Sequence, residues 1–299
     1  MSQIILEDYY FKSGTPWIDV KAYGAIGDNI ADDSVAIQVA LNAAVVNKAS
    51  VYLSPGNYKL TQGLTLPKHV RFFGAGSVSS ILIAHADIAV ITFETSLDSG
   101  YSELLSMGIY GYQSEAATQN TLNMPFQYGS HTGHILRDLR ISGGYRCMYT
   151  FGVDCVFENV FVADCFGPCL WASQGSNWYI RCKFDSTRAI TYAFAQAGYP
   201  YPEGSMSGTY NNFMMCDFTG PYAENLNFND VAGVLTMSQC DGLNVVNIIN
   251  SNWVSFSQCQ FGIAINNSSA GTVSVVNSKA LNLINIAGSK LVSGNINIT

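Results

Sequence analysis

The strongest constraint on the fold of this chain is that its second half repeats itself. Residues 134–141 resemble residues 155–162, an offset of 21 positions. Further along, a short strand-like run ending in a marker residue recurs, and the markers are Cys165, Cys182, Cys216, Cys240, Cys259 and Asn277. Their spacings of 17, 34, 24, 19 and 18 residues fit a nearly constant coil with a few insertions. Such periodicity predicts a solenoid, in which each coil packs on its neighbours.

The cysteines fit this repeat better than they fit a disulfide framework. Each marker cysteine follows a strand at the same place in its coil, so the thiols should stack as an inward ladder about 4.8 Å apart. We therefore expect buried, free thiols. Cys165 and Cys169 lie close in sequence, but no second close pair or histidine cluster completes a ligand set. The sequence thus predicts no metal site, and no cofactor is expected.

Composition limits the classes of partner. Charged residues make up 12% of the chain, about half the usual share of roughly 25%, so small polar residues or other subunits must cover the surface. The net charge is −7 without a basic stripe, which argues against a nucleic-acid partner. No apolar run approaches the roughly 18 residues of a membrane span, and the N-terminus does not resemble a signal peptide.

One helix is predicted near the N-terminus. Ile37, Leu41, Ala44 and Val45 form an apolar stripe at helical spacing, and the pattern stops near residue 47. The Asp pair at 32–33 is placed to cap this helix, because a carboxylate there accepts hydrogen bonds from unpaired backbone N–H groups. Strand-like runs follow from residue 51 onwards.

The segment 19–58 resembles the pectate-lyase-like superfamily of right-handed parallel β-helices found in bacteriophage tailspikes and capsule depolymerases. The matching motifs are Tyr23-Gly24-Ala25, Gly27-Asp28, Asp32-Asp33, Ala36-Ile37-Gln38, Val51-Tyr52-Leu53 and Pro55-Gly56 followed by Tyr58. The resemblance implies an all-β, right-handed parallel β-helix with a short N-terminal capping α-helix. It divides the chain into an N-terminal arm (1–17) and a β-helix (18–299). It also assigns the acidic pair at 32–33 to structure and not to catalysis.

The same resemblance implies a bacterial surface polysaccharide as ligand, a homotrimer and a place in the virion tail, with a secreted bacterial protein as the alternative. Cleavage would proceed by hydrolysis or β-elimination. No acidic residue follows position 241, and the chain ends on a strand-like run. We expect that end either to continue in a longer protein or to be covered by another subunit.

Two segments interrupt the repeat, at about 112–133 and 189–211. Insertions in a solenoid become loops on its outer face, and the aromatic residues in them are candidates for stacking on sugar rings. The candidates for substrate binding in these loops are Tyr128, Tyr199, Tyr201 and Tyr210. These rings stack on a glycan, or they pack on the coils or on a neighbouring subunit; the sequence leaves both open.

The residues that follow the marker cysteines should point outward: Phe166, Lys183, Asp217, Asp241 and Gln260. Asp217 and Asp241 would then lie about 5 Å apart, with Lys183 on the other side of Asp217. Two carboxyl groups at that distance suit a retaining glycosidase, but the row could instead be a solvated salt-bridge ladder. Rival catalytic candidates are Glu203, Glu224 and Asp230, which lie in or near the second insertion.

Two functions from different classes follow. The first is a tailspike-like depolymerase, with hydrolysis favoured over β-elimination. In a lyase, Lys183 or Arg181 would abstract a proton from a uronic acid, and both are also candidates for substrate binding. The alternative is a non-catalytic glycan-binding or structural module of a tail fibre or adhesin, which the lack of any known catalytic signature favours.

Overall fold

The computed structural model describes residues 16–95, 100–125, 132–167, 169–172, 176–185, 194–197, 210–219, 226–229, 234–249, 253–267, 272–286 and 290–293. At 194–197, 210, 219, 226–229, 234–235, 243–249, 261–267, 272–273, 279–286 and 290–293 the description covers the backbone alone.

The described residues form short strands, with one α-helix near the start. The first elements are β1 (Trp17–Asp19), a 3-10 helix (Val20–Tyr23), β2 (Asp28–Asp32), α1 (Ser34–Asn47), β3 (Ser50–Leu53), β4 (Gly56–Leu60), β5 (Leu64–Leu66), β6 (Arg71–Gly74), β7 (Ser80–Ala84), β8 (Ile91–Phe93), β9 (Glu103–Leu105), β10 (Gly108–Tyr110), β11 (Leu122–Met124), β12 (Ile135–Ser142), β13 (Met148–Thr150) and β14 (Val156–Ala163). The remaining strands are β15 (Leu170–Ala172), β16 (Trp178–Ile180), β17 (Lys183–Asp185), β18 (Phe194–Ala197), β19 (Tyr210–Met214), β20 (Asp217–Thr219), β21 (Leu226–Asn229), β22 (Val234–Ser238), β23 (Leu243–Ile249), β24 (Trp253–Ser257), β25 (Gln260–Asn267), β26 (Thr272–Val276), β27 (Lys279–Ile286) and β28 (Lys290–Ser293).

These strands form two sheets in which the described pairings are all parallel. Sheet B contains β5, β8, β11, β13, β15, β18, β21, β23, β25 and β27, each paired with the next in that order. Sheet A contains the other eighteen strands. The chain passes through sheet A and then sheet B in each coil, and returns to sheet A one strand further along. This arrangement confirms the predicted solenoid, a right-handed parallel β-helix with an N-terminal helix. Strand β11 lies inside the segment predicted as the first insertion.

Inward-pointing side chains stack in columns along the axis. One column in sheet A runs through Val51, Phe72, Leu104, Leu136, Phe157, Tyr179, Phe213, Met237, Phe256 and Val275, none more than 1% exposed. Within it the Tyr179 ring is stacked between Phe157 at 4.6 Å and Phe213 at 4.5 Å. Burial of each such side chain stabilises the fold by roughly 1.5–3 kcal/mol.

Helix α1 covers the N-terminal end of this core. Ile37, Leu41 and Ala44 are buried as predicted, but Val45 is 49% exposed and does not belong to the buried stripe. The helix ends at Asn47, as expected, because Lys48 adopts a left-handed conformation with φ of 50°.

Both aspartates before this helix have structural roles. The carboxylate of buried Asp33 accepts hydrogen bonds from the N–H groups of Ile26 at 2.6 Å and Gly27 at 3.1 Å, so it fixes the preceding loop and makes no side-chain cap. The carboxylate of Asp32 accepts the Ser34 N–H at the first turn of the helix, at 3.1 Å. The cap is therefore made by the first aspartate of the pair.

The predicted cysteine ladder is confirmed in its centre and wrong at its ends. The thiols of Cys182, Cys216, Cys240 and Cys259 are buried, and each donates to a backbone carbonyl one coil back, at 3.4, 3.3, 3.7 and 3.5 Å. Strand register places Val160, not Cys165, before this ladder, because Phe161 pairs with Lys183.

After the ladder, Ser278 takes the expected place of Asn277, since Gln260 pairs with Lys279. Cys165 and Asn277 were assigned to the ladder by residue type, whereas the strand register determines which residues stack. All eight cysteines are free and buried, as predicted.

Candidate functional site

A sharp bend recurs once per coil and shapes the outer surface of sheet A. At each bend one residue adopts the left-handed conformation, with φ between 46° and 55°. The register aligns these residues in one column, here named the corner row: Ser106, Asp138, Asn159, Arg181, Met215, Gln239, Gln258 and Asn277. Only glycine, asparagine and aspartate adopt this conformation readily, so the arginine, methionine and glutamines are held there by their surroundings.

Hydrogen bonds between coils provide that constraint. The Arg181 N–H donates to the Met214 carbonyl at 2.9 Å, and the Gln239 N–H donates to the Ser257 carbonyl at 3.0 Å. The residue after each corner is buried, which anchors the bend from inside. The corner row is therefore a rigid feature of the backbone.

A second column lies two residues after each corner. The register joins Arg140 to Phe161, Phe161 to Lys183 and Lys183 to Asp217. The Asp217, Asp241 and Gln260 N–H groups donate to the carbonyls of Cys182, Cys216 and Cys240, at 2.9, 3.0 and 3.0 Å. We name this column the outer row: Arg140, Phe161, Lys183, Asp217, Asp241 and Gln260. The corner row and the outer row together form the corner surface. Phe161 occupies the position predicted for Phe166.

One end of the corner surface is charged but internally compensated. Glu158 accepts a hydrogen bond from Arg137 Nε at 2.8 Å through one carboxylate oxygen and pairs with Arg181 Nη2 through the other. Asn159 Nδ2 donates to Asp138 Oδ1 at 2.7 Å. These five residues line an open concavity on the coil surface. Its hydrogen-bonding groups are fixed relative to one another before any ligand arrives.

The middle of the corner surface carries the two predicted aspartates. Asp217 and Asp241 occupy equivalent positions on adjacent coils and form a parallel bridge. Lys183 Nζ lies 3.2 Å from Asp217 Oδ2, and both side chains are about two-fifths exposed, at 44% and 40%. Asp241 is exposed, and its Oδ1 accepts the Gly242 N–H at 2.7 Å. Each carboxylate therefore has a partner and contact with solvent.

Gly242 permits this close arrangement. Its φ is +74°, and a Cβ at this position would lie 2.2 Å from the Phe218 carbonyl oxygen and 3.0 Å from Asp217 Oδ1. A larger residue would push apart the backbone that holds the two aspartates in register.

The other end of the corner surface is lined by amides. Gln239 Nε2 donates to Gln258 Oε1 at 3.2 Å, and these two side chains share a second open concavity with Gln260 and Asn277. Primary amides carry both donors and acceptors, so this end can bind a ligand rich in hydroxyl groups.

The structure brings together four of the predicted site residues: Arg181, Lys183, Asp217 and Asp241. Tyr210 begins strand β19, where only its backbone is described. Glu203, Glu224, Asp230, Tyr128, Tyr199 and Tyr201 lie outside the described residues. Sequence reasoning missed Arg137, Glu158 and the corner amides. A glutamine immediately precedes both Cys240 and Cys259 in the sequence, and this recurrence could have indicated the corner amides.

Neither a metal site nor a membrane span is evident in the part of the chain that the structure describes. In the described ranges no three His, Cys, Asp or Glu side chains are grouped to hold a metal ion. Likewise, no helix among them is long and apolar enough to cross a membrane.

Comparison with known proteins supports the fold and leaves the reaction open. Residues 17–127 match the family described as rhamnogalacturonase A/epimerase, pectate lyase-like. A 72-residue stretch is 39% identical to mannuronan C5-epimerase AlgE6 of Azotobacter vinelandii, covering 21% of this chain and 8% of that protein. The chain therefore matches less than a tenth of this curated relative.

Two solved structures extend the likeness over most of the chain. The A-module of the same epimerase superposes with a TM-score of 0.60 at 15% identity, covering 93% of this chain and 98% of the module. The Dettilon tailspike protein superposes with a TM-score of 0.62 at 10% identity, covering 88% of this chain and 62% of the tailspike. At these identities the likeness concerns the fold.

Proposed function

We propose that this chain, which has the pectate-lyase-like right-handed parallel β-helix fold, binds a polysaccharide strand along its corner surface. The observation that carries the proposal is the regular spacing of polar side chains. The corner row and the outer row present guanidinium, carboxylate and amide groups once per coil, about 4.8 Å apart. A polysaccharide is a repeating ligand, and a repeating row of donors and acceptors can bind several of its units.

The electrostatics of the surface favour a ligand recognised by hydrogen bonds. Arg137, Arg181 and Lys183 are each paired with a carboxylate, so little net field remains to attract a strongly charged polymer. The pairing also fixes the direction of each donor, which lowers the entropy lost on binding. Fold likeness to a tailspike and to a polysaccharide-modifying module supports a carbohydrate ligand.

We further propose that the ligand is a bacterial surface polysaccharide and that the protein acts as a homotrimer in a virion tail. The support is the tailspike likeness and a surface with few charged residues, part of which other subunits would cover. Mass photometry of the purified chain tests the oligomer, and a mass near that of one chain would contradict it.

Binding is tested by removing amides that have no part in the core. The double variant Gln239→Ala/Gln258→Ala should weaken binding to the matching polysaccharide about tenfold, since each lost hydrogen bond contributes about 0.5–1.5 kcal/mol. The probe is a panel of purified capsular and O-antigen polysaccharides in a glycan array. The matched control is Gln62→Ala, an exposed glutamine in the N-terminal coils. Undiminished binding by a correctly folded double variant would refute the proposal.

Cleavage of the bound strand is a second candidate function, favoured by the adjacent aspartates. Their backbone positions are one coil, about 4.8 Å, apart, which allows the two carboxyl groups to reach the separation of about 5–5.5 Å found in retaining glycosidases. Against it, both side chains are solvated and partnered, whereas a general acid usually sits in apolar surroundings. Lys183 and Arg181, the candidates for a lyase base, are likewise ion-paired.

Product analysis separates these alternatives. A hydrolase would release new reducing ends, and a lyase would release an unsaturated sugar that absorbs ultraviolet light. Asp217→Asn and Asp241→Asn should each abolish hydrolysis while leaving binding in place. Binding without any product from a polysaccharide that the array identifies would leave the protein a non-catalytic glycan-binding module.

A further inference from the structure

Two cysteines outside the ladder are in contact at one turn of the coil. Cys165 and Cys169 are separated by three residues and lie in the turn that joins strands β14 and β15. Both are fully buried free thiols in this structure. Their sulfur atoms are 3.1 Å apart. A disulfide bond is about 2.05 Å long, so the two sulfurs need to approach by about 1 Å to form one.

Hydrogen bonds to the preceding coil hold this turn in place. The Gly167 N–H, between the two cysteines, donates to the Tyr145 carbonyl at 2.5 Å. At the end of the turn, the Cys169 carbonyl accepts the Met148 N–H at 3.0 Å. The backbone therefore already holds the two side chains against each other, and little conformational freedom remains to be lost when a bond joins them.

The cysteine ladder lacks this arrangement, although its thiols also stack. Register partners on adjacent coils are about 4.8 Å apart, and their side chains run parallel. A disulfide bond needs β-carbons about 3.5–4.5 Å apart and side chains that converge. Each ladder thiol donates instead to a backbone carbonyl one coil back. We therefore expect oxidation to select the turn pair over the ladder, which consists of Cys182, Cys216, Cys240 and Cys259.

A third thiol near the pair is held by a different coil. Cys147 occupies the position of Cys169 one coil earlier, so the coil spacing separates these two backbones. Its thiol donates to the Ala163 carbonyl at 3.1 Å. Cys165 and Cys169 share one turn, whereas Cys147 would have to leave its own hydrogen bond to pair with either of them.

We propose that Cys165 and Cys169 are a modification site, at which an intrachain disulfide bond forms when the protein meets a small-molecule disulfide such as oxidised glutathione. The sulfur of one cysteine attacks the small disulfide, which forms a mixed disulfide and releases one small thiol. The second cysteine then attacks the protein sulfur of that mixed disulfide and releases the other small thiol. The two cysteines lose two electrons and two protons in total, and the small disulfide gains both.

Burial determines when this reaction runs. Because both sulfurs are inaccessible in the closed turn, the oxidant reaches them while the chain folds or when the turn opens locally. Once formed, the bond is enclosed by the same packing and is protected from soluble reductants. Disulfide bonds persist in oxidising surroundings outside the cell, so the site would report transfer of the protein to such surroundings. It lies apart from the corner surface and does not depend on the function proposed there.

The test counts thiols in the full chain under reducing and oxidising conditions. Native protein is incubated with oxidised glutathione in one arm, and denatured protein is refolded in a glutathione redox buffer in the other. Each sample is quenched with acid, denatured and labelled with N-ethylmaleimide. Labelled cysteines should fall from the eight of the reduced protein to six in at least one arm. Peptide mapping by mass spectrometry should find the other two joined as Cys165–Cys169.

A change in stability should accompany the bond. The apparent melting temperature of the oxidised protein should be about 2–4 °C higher than that of the reduced protein, because the bond closes only a short loop. Cys169→Ser should keep seven labelled cysteines in both redox states and should lose this difference. The matched control is Cys259→Ser in the ladder, which should fall from seven labelled cysteines to five and keep the difference.

Two results overturn the inference. The first is wild-type protein that keeps eight labelled cysteines in both arms. The second is a disulfide bond that joins a different pair, such as Cys147 and Cys165. The peptide map of the wild-type protein decides both points, so a serine variant that fails to fold does not affect the conclusion. Glycan binding enters neither measurement, and the proposed function therefore succeeds or fails separately.

Discussion

Two buried tyrosines of this protein should respond in opposite ways to the same substitution. The Tyr58 hydroxyl donates to the Ser54 carbonyl at 2.8 Å and lies 3.1 Å from the Ser54 hydroxyl. The Tyr179 hydroxyl is buried beside that of Thr150, and neither reaches hydrogen-bond geometry with any described group. Burial raises the pKa of Tyr179. One phenol is satisfied, and the other is not.

The magnitudes follow from this difference. Tyr179→Phe keeps the ring stacked between Phe157 and Phe213 and removes an unpaired polar group whose burial costs about 1–3 kcal/mol. We expect the free energy of unfolding to rise by about 1 kcal/mol, since the lost oxygen also leaves a small void. Tyr58→Phe deletes satisfied hydrogen bonds and should lower it by about 1–2 kcal/mol.

Guanidinium unfolding followed by far-ultraviolet circular dichroism measures both effects. The midpoints should move in opposite directions with unchanged slopes, because neither substitution alters the surface exposed on unfolding. Tyr23→Phe, at an exposed ring, is the control and should leave the midpoint in place. If Tyr179→Phe destabilises the protein as much as Tyr58→Phe does, the hydroxyl has a partner and the reasoning about the interior is wrong.

Three other substitutions test the caps and corners. Burial raises the pKa of Asp32, but hydrogen bonds from Ser34 and Thr61 outweigh it and lower the pKa from 3.8 to about 2. The stability it contributes is therefore present above pH 4 and lost as the pH falls through about 2, so Asp32→Asn should lower the melting temperature at pH 7 and change it much less at pH 2. Met215→Asn should raise the free energy of unfolding by about 0.5–1 kcal/mol in guanidinium titrations, because asparagine tolerates the left-handed corner. Gly242→Ala should lower it by more than about 1 kcal/mol, since the added Cβ meets the Phe218 carbonyl.

The sequence predicts the fold well because coil stacking is a local rule repeated many times. The motif around 19–58, the helix ending at Asn47 and the thiol column of Cys182, Cys216, Cys240 and Cys259 each follow from residue type and spacing. The prediction failed where a residue of the same type lies outside the column. Cys165 is a buried cysteine like the column members, but its sulfur contacts that of Cys169, at 3.1 Å. A cysteine before a loop and a cysteine after a corner look alike in sequence.

The candidate site was predictable only in part, because it depends on which columns meet at a bend. Lys183, Asp217 and Asp241 were aligned correctly, since each follows a cysteine of the ladder. Glu158 was missed because it carries no marker, and its role arises from bridging Arg137 and Arg181, which lie 44 residues apart (137 to 181). Such a contact follows from strand register and not from local pattern.

The corner row links the stability of the fold to its surface chemistry. A left-handed residue other than glycine costs about 1–2 kcal/mol, and asparagine or glycine would relieve much of that cost. Arginine and glutamine nevertheless occupy the corners that line the two concavities, whereas Met215 lies between them. If these long side chains contact a ligand, Gln258→Asn should stabilise the fold and weaken glycan binding, while Met215→Asn should stabilise it without that loss. If both substitutions leave binding intact, the corner residues serve the backbone alone and the ligand lies elsewhere on the coil surface.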